Sequence, residues 1–241
     1  MKEIRSLVRE VLKESFLNEN YENLNNASEE EQLAVVQDDG DAIKYIDNPS
    51  EAVQLASVNK DGYAIQFIKN PSEEVQLVAV RRRYAAIKFI DNPSEAVQLA
   101  AVNKDGYAIE YIKNPSEVVK LAAVKRYGGA IKSIDNPSEA VQLAAIEKGN
   151  AALFIINSPT EAVQLAAVKK SGYAIRYIKN PSEEVQLAAV KNNINAISYI
   201  KNPSEAVQLA VINKDVDAIR WIKNPSAKVK AKADLSRWMK D

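Results

Sequence analysis

The sequence predicts an all-α fold, an α-solenoid of ten stacked 22-residue repeats, and three observations lead to this prediction. Counted from each proline, the unit reads P-S-E-x-V-Q-L-A-A-V-x-K-x-G-Y-A-I-x-Y-I-K-N, and its apolar positions have helical spacing. A unit this short cannot bury a core alone, so it must stack on its neighbours. All nine prolines lie 22 residues apart, at Pro49, Pro71, Pro93, Pro115, Pro137, Pro159, Pro181, Pro203 and Pro225.

The repeat divides the chain into three parts. Residues 27–224 form nine full repeats, with Ala27 in place of the first proline, and residues 225–241 form a truncated tenth repeat. We number the repeats 1 to 10 and the places within each one as repeat positions 1 to 22. Repeats 2 and 4 are nearly identical, which indicates a duplication with little later drift.

Residues 1–26 precede the repeats and begin with an amphipathic segment. Residues 2–17 predict a helix with one apolar stripe, formed by Ile4, Leu7, Val8, Val11, Leu12 and Phe16. We expect this helix to cover the open face of repeat 1, because solenoids need such caps. A docking or oligomerisation helix is the alternative. Residues 18–26 are a polar linker.

The first half of each repeat predicts an α-helix with a strong start signal. Asn at repeat position 22 is the expected N-cap, Pro the first helical residue, and Glu at position 3 the partner in a capping box. The glutamate row could alternatively be an acidic recognition edge. Gln at position 6 is expected to bond loop backbone or a neighbouring Gln, the alternative being a row of ligand-binding amides. Alanine at positions 8 and 9 allows adjacent helices to pack closely.

The second half predicts a turn and a short helix of about two turns. Gly at position 14 (Gly40, Gly62, Gly106, Gly128 and Gly172) is expected to take a positive φ. Lysine or arginine at position 12 is expected to interact with the dipole of the first helix. Aromatic residues at position 19 are expected to stack between repeats, and a partner groove is the alternative.

The truncated repeat has the composition of a C-terminal cap. Lys228, Lys230 and Lys232 replace apolar residues, while Val229, Leu235, Trp238 and Met239 stay apolar. A stack sealed at both ends predicts a monomer.

The motif V-Q-L-A-A-V-x-K-x-G-Y-A-I-x-Y resembles an uncharacterised family of short α-helical repeats found in bacteria and viruses. It is more loosely similar to the leucine-rich repeat variant, a solenoid of α and 3₁₀ helices with a longer unit. The resemblance covers residues 27–224 and implies an architecture, but no activity.

Composition and motifs argue against an enzyme. The chain has no His and no Cys, and 32 Lys and Arg balance 32 Asp and Glu. We find no phosphate-binding loop, nucleophile elbow or zinc spacing, so we expect no cofactor and no metal. There is no apolar run of about 18 residues and no signal-peptide core, so we expect a cytoplasmic protein without membrane contact.

Departures from the consensus suggest a contact site. Two turns are rich in basic and aromatic residues, Phe154 stands at a usually polar position, and sequence drift is the competing explanation. The candidate partner-binding residues are Arg81, Arg82, Arg83, Tyr84, Lys104, Arg126, Tyr127 and Phe154. We expect a non-catalytic scaffold for protein–protein interaction. The alternatives are nucleic-acid binding through the position-12 cations, which the glutamate row disfavours, and a structural role in a larger assembly, which the resembling family suggests is viral.

Overall fold

The structure, a computed structural model, describes residue 21 and residues 23–239, and its regular elements there are all helical. It confirms the α-solenoid, in which each full repeat pairs one α-helix with one 3₁₀ helix. The predicted N-terminal helix over residues 2–17 lies outside the described residues. The α-helices are α1 (Glu29–Asp38), α2 (Glu51–Lys60), α3 (Glu73–Arg82), α4 (Glu95–Lys104), α5 (Glu117–Arg126), α6 (Glu139–Lys148), α7 (Glu161–Lys170), α8 (Glu183–Asn192), α9 (Glu205–Lys214) and α10 (Ala227–Trp238).

The second helix of each repeat is a 3₁₀ helix. In repeat 2 the amides of Ala64 and Ile68 donate to carbonyls three residues back, at 2.9 and 3.0 Å. The six residues Gly62–Phe67 are flanked on both sides by a residue in extended conformation. Six residues complete two turns of a 3₁₀ helix, which has three residues per turn. The 3₁₀ helices are Leu24–Asn26, before the repeats, and then Gly40–Tyr45, Gly62–Phe67, Tyr84–Phe89, Gly106–Tyr111, Gly128–Ser133, Asn150–Phe154, Gly172–Tyr177, Ile194–Tyr199 and Val216–Trp221.

The α-helices begin two residues later than the sequence predicted. The N-cap is Ser at repeat position 2, as in Ser72, whose hydroxyl oxygen accepts the amide of Val75 at 3.4 Å. The predicted asparagine N-cap was wrong. In six repeats Asn at position 22 instead turns the chain in the left-handed region, with φ near 50° at Asn70 and Asn92.

The expected positive φ at Gly of position 14 was also wrong, because none of the described glycines is left-handed. Where this position is glycine, the absence of a side chain allows close packing. A Cβ on Gly62 would lie 2.5 Å from the carbonyl oxygen of Ala79, and one on Gly172 would lie 2.5 Å from that of Ala189. The 3₁₀ helix of one repeat therefore rests against the last turn of the next repeat's α-helix.

The core is built from six repeat positions. In repeat 2 the buried residues at positions 5, 10, 16, 17 and 20 are Val53, Val58, Ala64, Ile65 and Ile68. Position 9 is also buried and is small, usually alanine, which fits the predicted close packing of adjacent α-helices.

The chain divides into two compact units, residues 1–126 (unit 1) and residues 127–241 (unit 2). Unit 1 contains 16 Lys and Arg against 21 Asp and Glu, whereas unit 2 contains 16 against 11. The zero net charge of the chain therefore combines an acidic unit with a basic one. In unit 2, α10 buries Val229 and Ala233, while Leu235, Trp238 and Met239 remain exposed.

Candidate interaction surfaces

The predicted contact residues fall in both units and are described unit by unit. Unit 2 holds Tyr127 and Phe154, and both side chains are exposed. Unit 1 holds the other six, namely Arg81, Arg82, Arg83, Tyr84, Lys104 and Arg126.

The arginine-rich turn of repeat 3 is partly occupied by internal contacts. Arg83 donates to Asp61 Oδ1 at 2.8 Å, and its guanidinium lies 5.0 Å from the ring centroid of Tyr63. Tyr84 is half-buried, and burial, followed by the charge of Asp105, raises the pKa of its hydroxyl. Arg81 and Arg82 are the members of this turn that stay exposed without such contacts.

Cations at repeat position 12 bind helix ends, as the sequence predicted, but the helix belongs to the preceding repeat. Arg126 Nε donates to the carbonyl of Asn103 at 3.0 Å, Lys170 Nζ to that of Ile146 at 3.0 Å, and Lys214 Nζ to that of Lys191 at 3.2 Å. These bonds place a positive charge at the negative end of a helix dipole. Three of the seven cations of this row are thereby engaged within the fold.

The glutamate at position 3 links neighbouring repeats, and the predicted capping box was wrong for this row. The hydroxyl of the next repeat's cap residue donates to it, as Ser72 does to Glu51 at 2.5 Å and Ser116 to Glu95 at 2.6 Å. Val stands at the third helical position, where a capping box needs Glu or Gln. Repeat 1 has a true box, between Ser28 and Glu31.

Gln at position 6 bonds the loop backbone, which confirms one of the two predicted partners. Its Nε2 donates to the proline carbonyl of its own repeat, at 3.0 Å from Gln54 to Pro49. Gln208 Oε1 also accepts the amide of Ser226 at 3.0 Å. The Oε1 atoms of Gln142 and Gln186 are buried and have no partner among the described residues. These two glutamines line clefts of about 580 and 680 Å³ between successive proline loops.

The aromatic residues of the 3₁₀ helices stack between repeats, as predicted, yet many remain partly exposed. The ring centroids of Tyr63 and Phe89 lie 6.0 Å apart at an interplanar angle of 85°, an edge-to-face contact, and Lys88 Nζ lies 4.6 Å from the centroid of Phe89. Phe154 is 65% exposed, and its centroid is 3.8 Å from that of Tyr177.

Repeat position 21 carries an exposed row of charges. Asn25 precedes Asp47 by one repeat length, and its Nδ2 donates to Asp47 Oδ2 at 2.8 Å. In unit 1 the row alternates as Asp47, Lys69, Asp91 and Lys113, whereas in unit 2 it includes Lys179, Lys201 and Lys223.

A leucine row is the feature that sequence reasoning missed. Positions 4, 7, 8 and 11 share one side of each α-helix, because residues three and four apart lie together. We call this side the leucine face. Leu at position 7 is only half-buried in all nine full repeats: Leu33, Leu55, Leu77, Leu99, Leu121, Leu143, Leu165, Leu187 and Leu209.

The leucine row is flanked by apolar residues at position 8 and mostly at position 4, whereas position 11 is polar or charged in all nine full repeats. Position 8 is Ala in eight full repeats and Val78 in the other, and position 4 is an exposed Ala in five and Val118 in another. The signal available in the sequence was this constant leucine beside small residues at the spacing of one helix face.

The described residues contain no group of acidic side chains able to hold a metal ion. None of the helices there has the length and apolar character needed to cross a membrane. Comparison with known proteins finds no matching family, no similar curated protein and no similar solved structure.

Proposed function

We propose that this chain is a non-catalytic repeat scaffold that binds another protein along the leucine face. The observation that carries this proposal is the half-buried leucine present in every full repeat. A leucine that only served the core would be covered by its own fold. A repeated apolar surface of this kind is typical of protein interaction sites.

The size of the surface supports a protein partner. A stable protein interface buries about 800 Å² on each side, which requires side chains from several elements. Within one unit, neighbouring α-helices carry leucine and alanine at the same repeat positions, so these side chains form rows. One partner segment could therefore contact several repeats. The chain has no histidine and no cysteine, the residues used most often in acid–base and thiol catalysis, and this composition favours a binding role.

The nucleic-acid alternative has less support than the scaffold. Arg126, Lys170 and Lys214 donate to helix carbonyls, and Arg83 pairs with Asp61, so these cations are already engaged. The exposed Arg81 and Arg82 remain candidates for contact with a protein partner.

Affinity capture from cells that express the chain tests the proposal, with captured proteins and nucleic acids both identified. Leu77→Gln with Leu99→Gln should reduce capture of a specific protein at least tenfold, while helical circular dichroism is retained. The comparison variant combines Arg82→Ala, Arg126→Ala and Phe154→Ala. If capture is lost in this variant alone, the partner binds the basic and aromatic residues and not the leucine face. Specific capture of nucleic acid would contradict the proposal.

A further inference from the structure

In unit 2, α8 and α9 border an apolar groove of about 480 Å³ on the leucine face. Its floor is formed by Leu187, Ala188, Val190 and Ala210. The ten residues of α8 give the groove a length of about 15 Å, or roughly three helical turns.

Lysines dominate one end of this groove. Lys169, Lys191 and Lys214 line it, and each stands in the last turn of its α-helix. Lys169 and Lys191 are exposed and have no ion-pair partner within residues 23–239. The acidic residue of the lining is Glu184, in the first turn of α8.

The lysines leave this end of the groove positive. Three ammonium groups outweigh the helix ends beside them, because each end carries about half a negative charge. The basic composition of unit 2, with 16 Lys and Arg against 11 Asp and Glu, acts in the same direction.

Unit 1 provides an internal comparison. The same repeat positions between α2 and α3 have a similar floor, with Leu55, Ala56, Val58 and Val78. Their rim residues, however, are Gln37, Asn59 and Arg82, so one cation stands where unit 2 has three. The lysine end therefore belongs to this groove and is not a general property of the repeat.

We infer that the groove between α8 and α9 binds an amphipathic helix of a partner protein, with acidic side chains at the lysine end. Apolar residues three and four apart on that helix would pack on Leu187 and Ala188, as in other helix-in-groove complexes. Its carboxylates would pair with Lys169 and Lys191. This inference rests on the proposed scaffold function and specifies one binding site and its partner chemistry.

A pair of labelled peptides tests the inference on the full chain by fluorescence anisotropy. The first probe is a helical peptide of about 18 residues with leucines on one face and glutamates beside them, and the second has lysine in place of glutamate. The glutamate peptide should bind at least tenfold more tightly, and its affinity should fall as salt rises.

Matched variants locate the binding. Lys169→Glu with Lys191→Glu should reverse the preference between the peptides, and Leu187→Gln should weaken binding of the glutamate peptide at least tenfold. The control variant Lys69→Glu with Lys113→Glu makes the same charge change at two exposed lysines of unit 1 outside the leucine face and should leave the affinity unchanged.

The results that would overturn the groove assignment differ from those that would overturn the scaffold proposal. Equal binding of both peptides, or no effect of the unit 2 variants, would overturn the groove assignment. Binding to phosphatidylserine vesicles without binding to either peptide would assign the groove to a membrane surface and would also overturn it. Retained capture of a cellular partner by the Lys169→Glu, Lys191→Glu variant, with capture lost in Leu77→Gln, Leu99→Gln, would reject the groove and leave the scaffold standing.

Discussion

The chain changes direction at two positions of the repeat, and each position favours a different residue: asparagine at position 22 and glycine at position 14. Asn92 takes φ of 50°, a region that asparagine tolerates better than most residues, and leads the chain into the next proline. Gly62 has no left-handed backbone but leaves room for the carbonyl of Ala79. Asparagine is thus favoured at position 22 by the backbone conformation, and glycine is favoured at position 14 by the lack of room for a side chain.

Gly62→Ala should lower the free energy of unfolding by about 1–3 kcal/mol, because its Cβ would overlap a backbone oxygen. Tyr84, Ile194 and Val216 occupy the same repeat position elsewhere, so the spacing can adjust at a cost. Urea unfolding measures the change. The control is Gly149→Ala, where a Cβ would meet nothing within 4 Å, and it should stabilise the protein by about 0.4–1 kcal/mol. Equal effects of both variants would contradict the packing explanation.

Asn92→Ala should destabilise the protein by about 1–2 kcal/mol, since alanine pays the full penalty of a left-handed backbone. Asn92→Gly removes that penalty and should change the thermal midpoint much less. If glycine proved as harmful as alanine, the side chain of Asn92 rather than its conformation would be the important feature.

At the level of elements, the serine cap performs two tasks. Ser226 accepts the amide of Val229 at 3.2 Å, and its hydroxyl donates to Glu205 of the preceding repeat at 2.9 Å. The start of one α-helix is therefore tied to the start of the previous one, and the links hold neighbouring repeats in register.

This link predicts a dependence of stability on pH. The bond from Ser226, together with Lys228, lowers the pKa of Glu205 below its ordinary value of 4.5. The folded state then binds fewer protons than the unfolded state, so the stabilisation is present above pH 4.5 and is lost as pH falls through the lowered pKa. Glu205→Gln should lie below the wild type in urea midpoint at pH 6 and approach it at pH 3.

Glu184→Gln serves as the control for this pH experiment, because Glu184 makes no hydrogen bond within the described residues. Both glutamates stand in the first turn of an α-helix, so Glu184→Gln reports the loss of the interaction with the helix dipole alone, and its urea midpoint at pH 6 should fall less than that of Glu205→Gln. A gap between wild type and Glu205→Gln that is constant with pH would mean that the carboxylate charge is not involved.

The first helix of each repeat was largely predictable from sequence, and the second was not. The P-S-E signal marks the start of α2 and the cation at position 12 marks its end, although the N-cap is Ser50 and not the asparagine at position 22 of the preceding repeat. Six residues such as Gly62–Phe67 fit either helix type. A capping signal was overlooked beside them, because Asp61 Oδ1 accepts the amide of Tyr63 at 3.0 Å and starts the 3₁₀ helix.

The candidate surface was less predictable than the fold. Leu99 and Val97 are equally apolar, and only the structure separates the half-exposed one from the buried one. Periodicity shows which residues share a helix face, but what covers that face depends on distant parts of the chain. For the same reason Arg81 and Arg83 look alike in sequence, while Asp61 engages one of them.

Across the whole molecule, repeat 6 departs furthest from the common pattern. Its 3₁₀ helix has five residues instead of six, Gly149 provides no cap for it, and Ile155 is in the right-handed helical region. Since a solenoid is stabilised repeat by repeat, a weak unit opens locally without unfolding of the rest.

Amide hydrogen exchange should accordingly be faster in residues 150–156 than in residues 194–200, where Asn193 caps the 3₁₀ helix. Gly149→Asn would supply the missing cap and should slow exchange in residues 150–156. Equal protection of both segments in the unmodified chain would show that the altered geometry carries no energetic cost.

The alternation of Asp47, Lys69, Asp91 and Lys113 has a consequence for how such an array changes length. Neighbouring helices pack about 8–10 Å apart, close to the screening length of physiological salt, so loss of a single repeat through unequal recombination would place two like charges next to each other. Loss or gain of two repeats preserves the alternation of opposite charges. Changes in repeat number that conserve this alternation in unit 1 are therefore expected in steps of two.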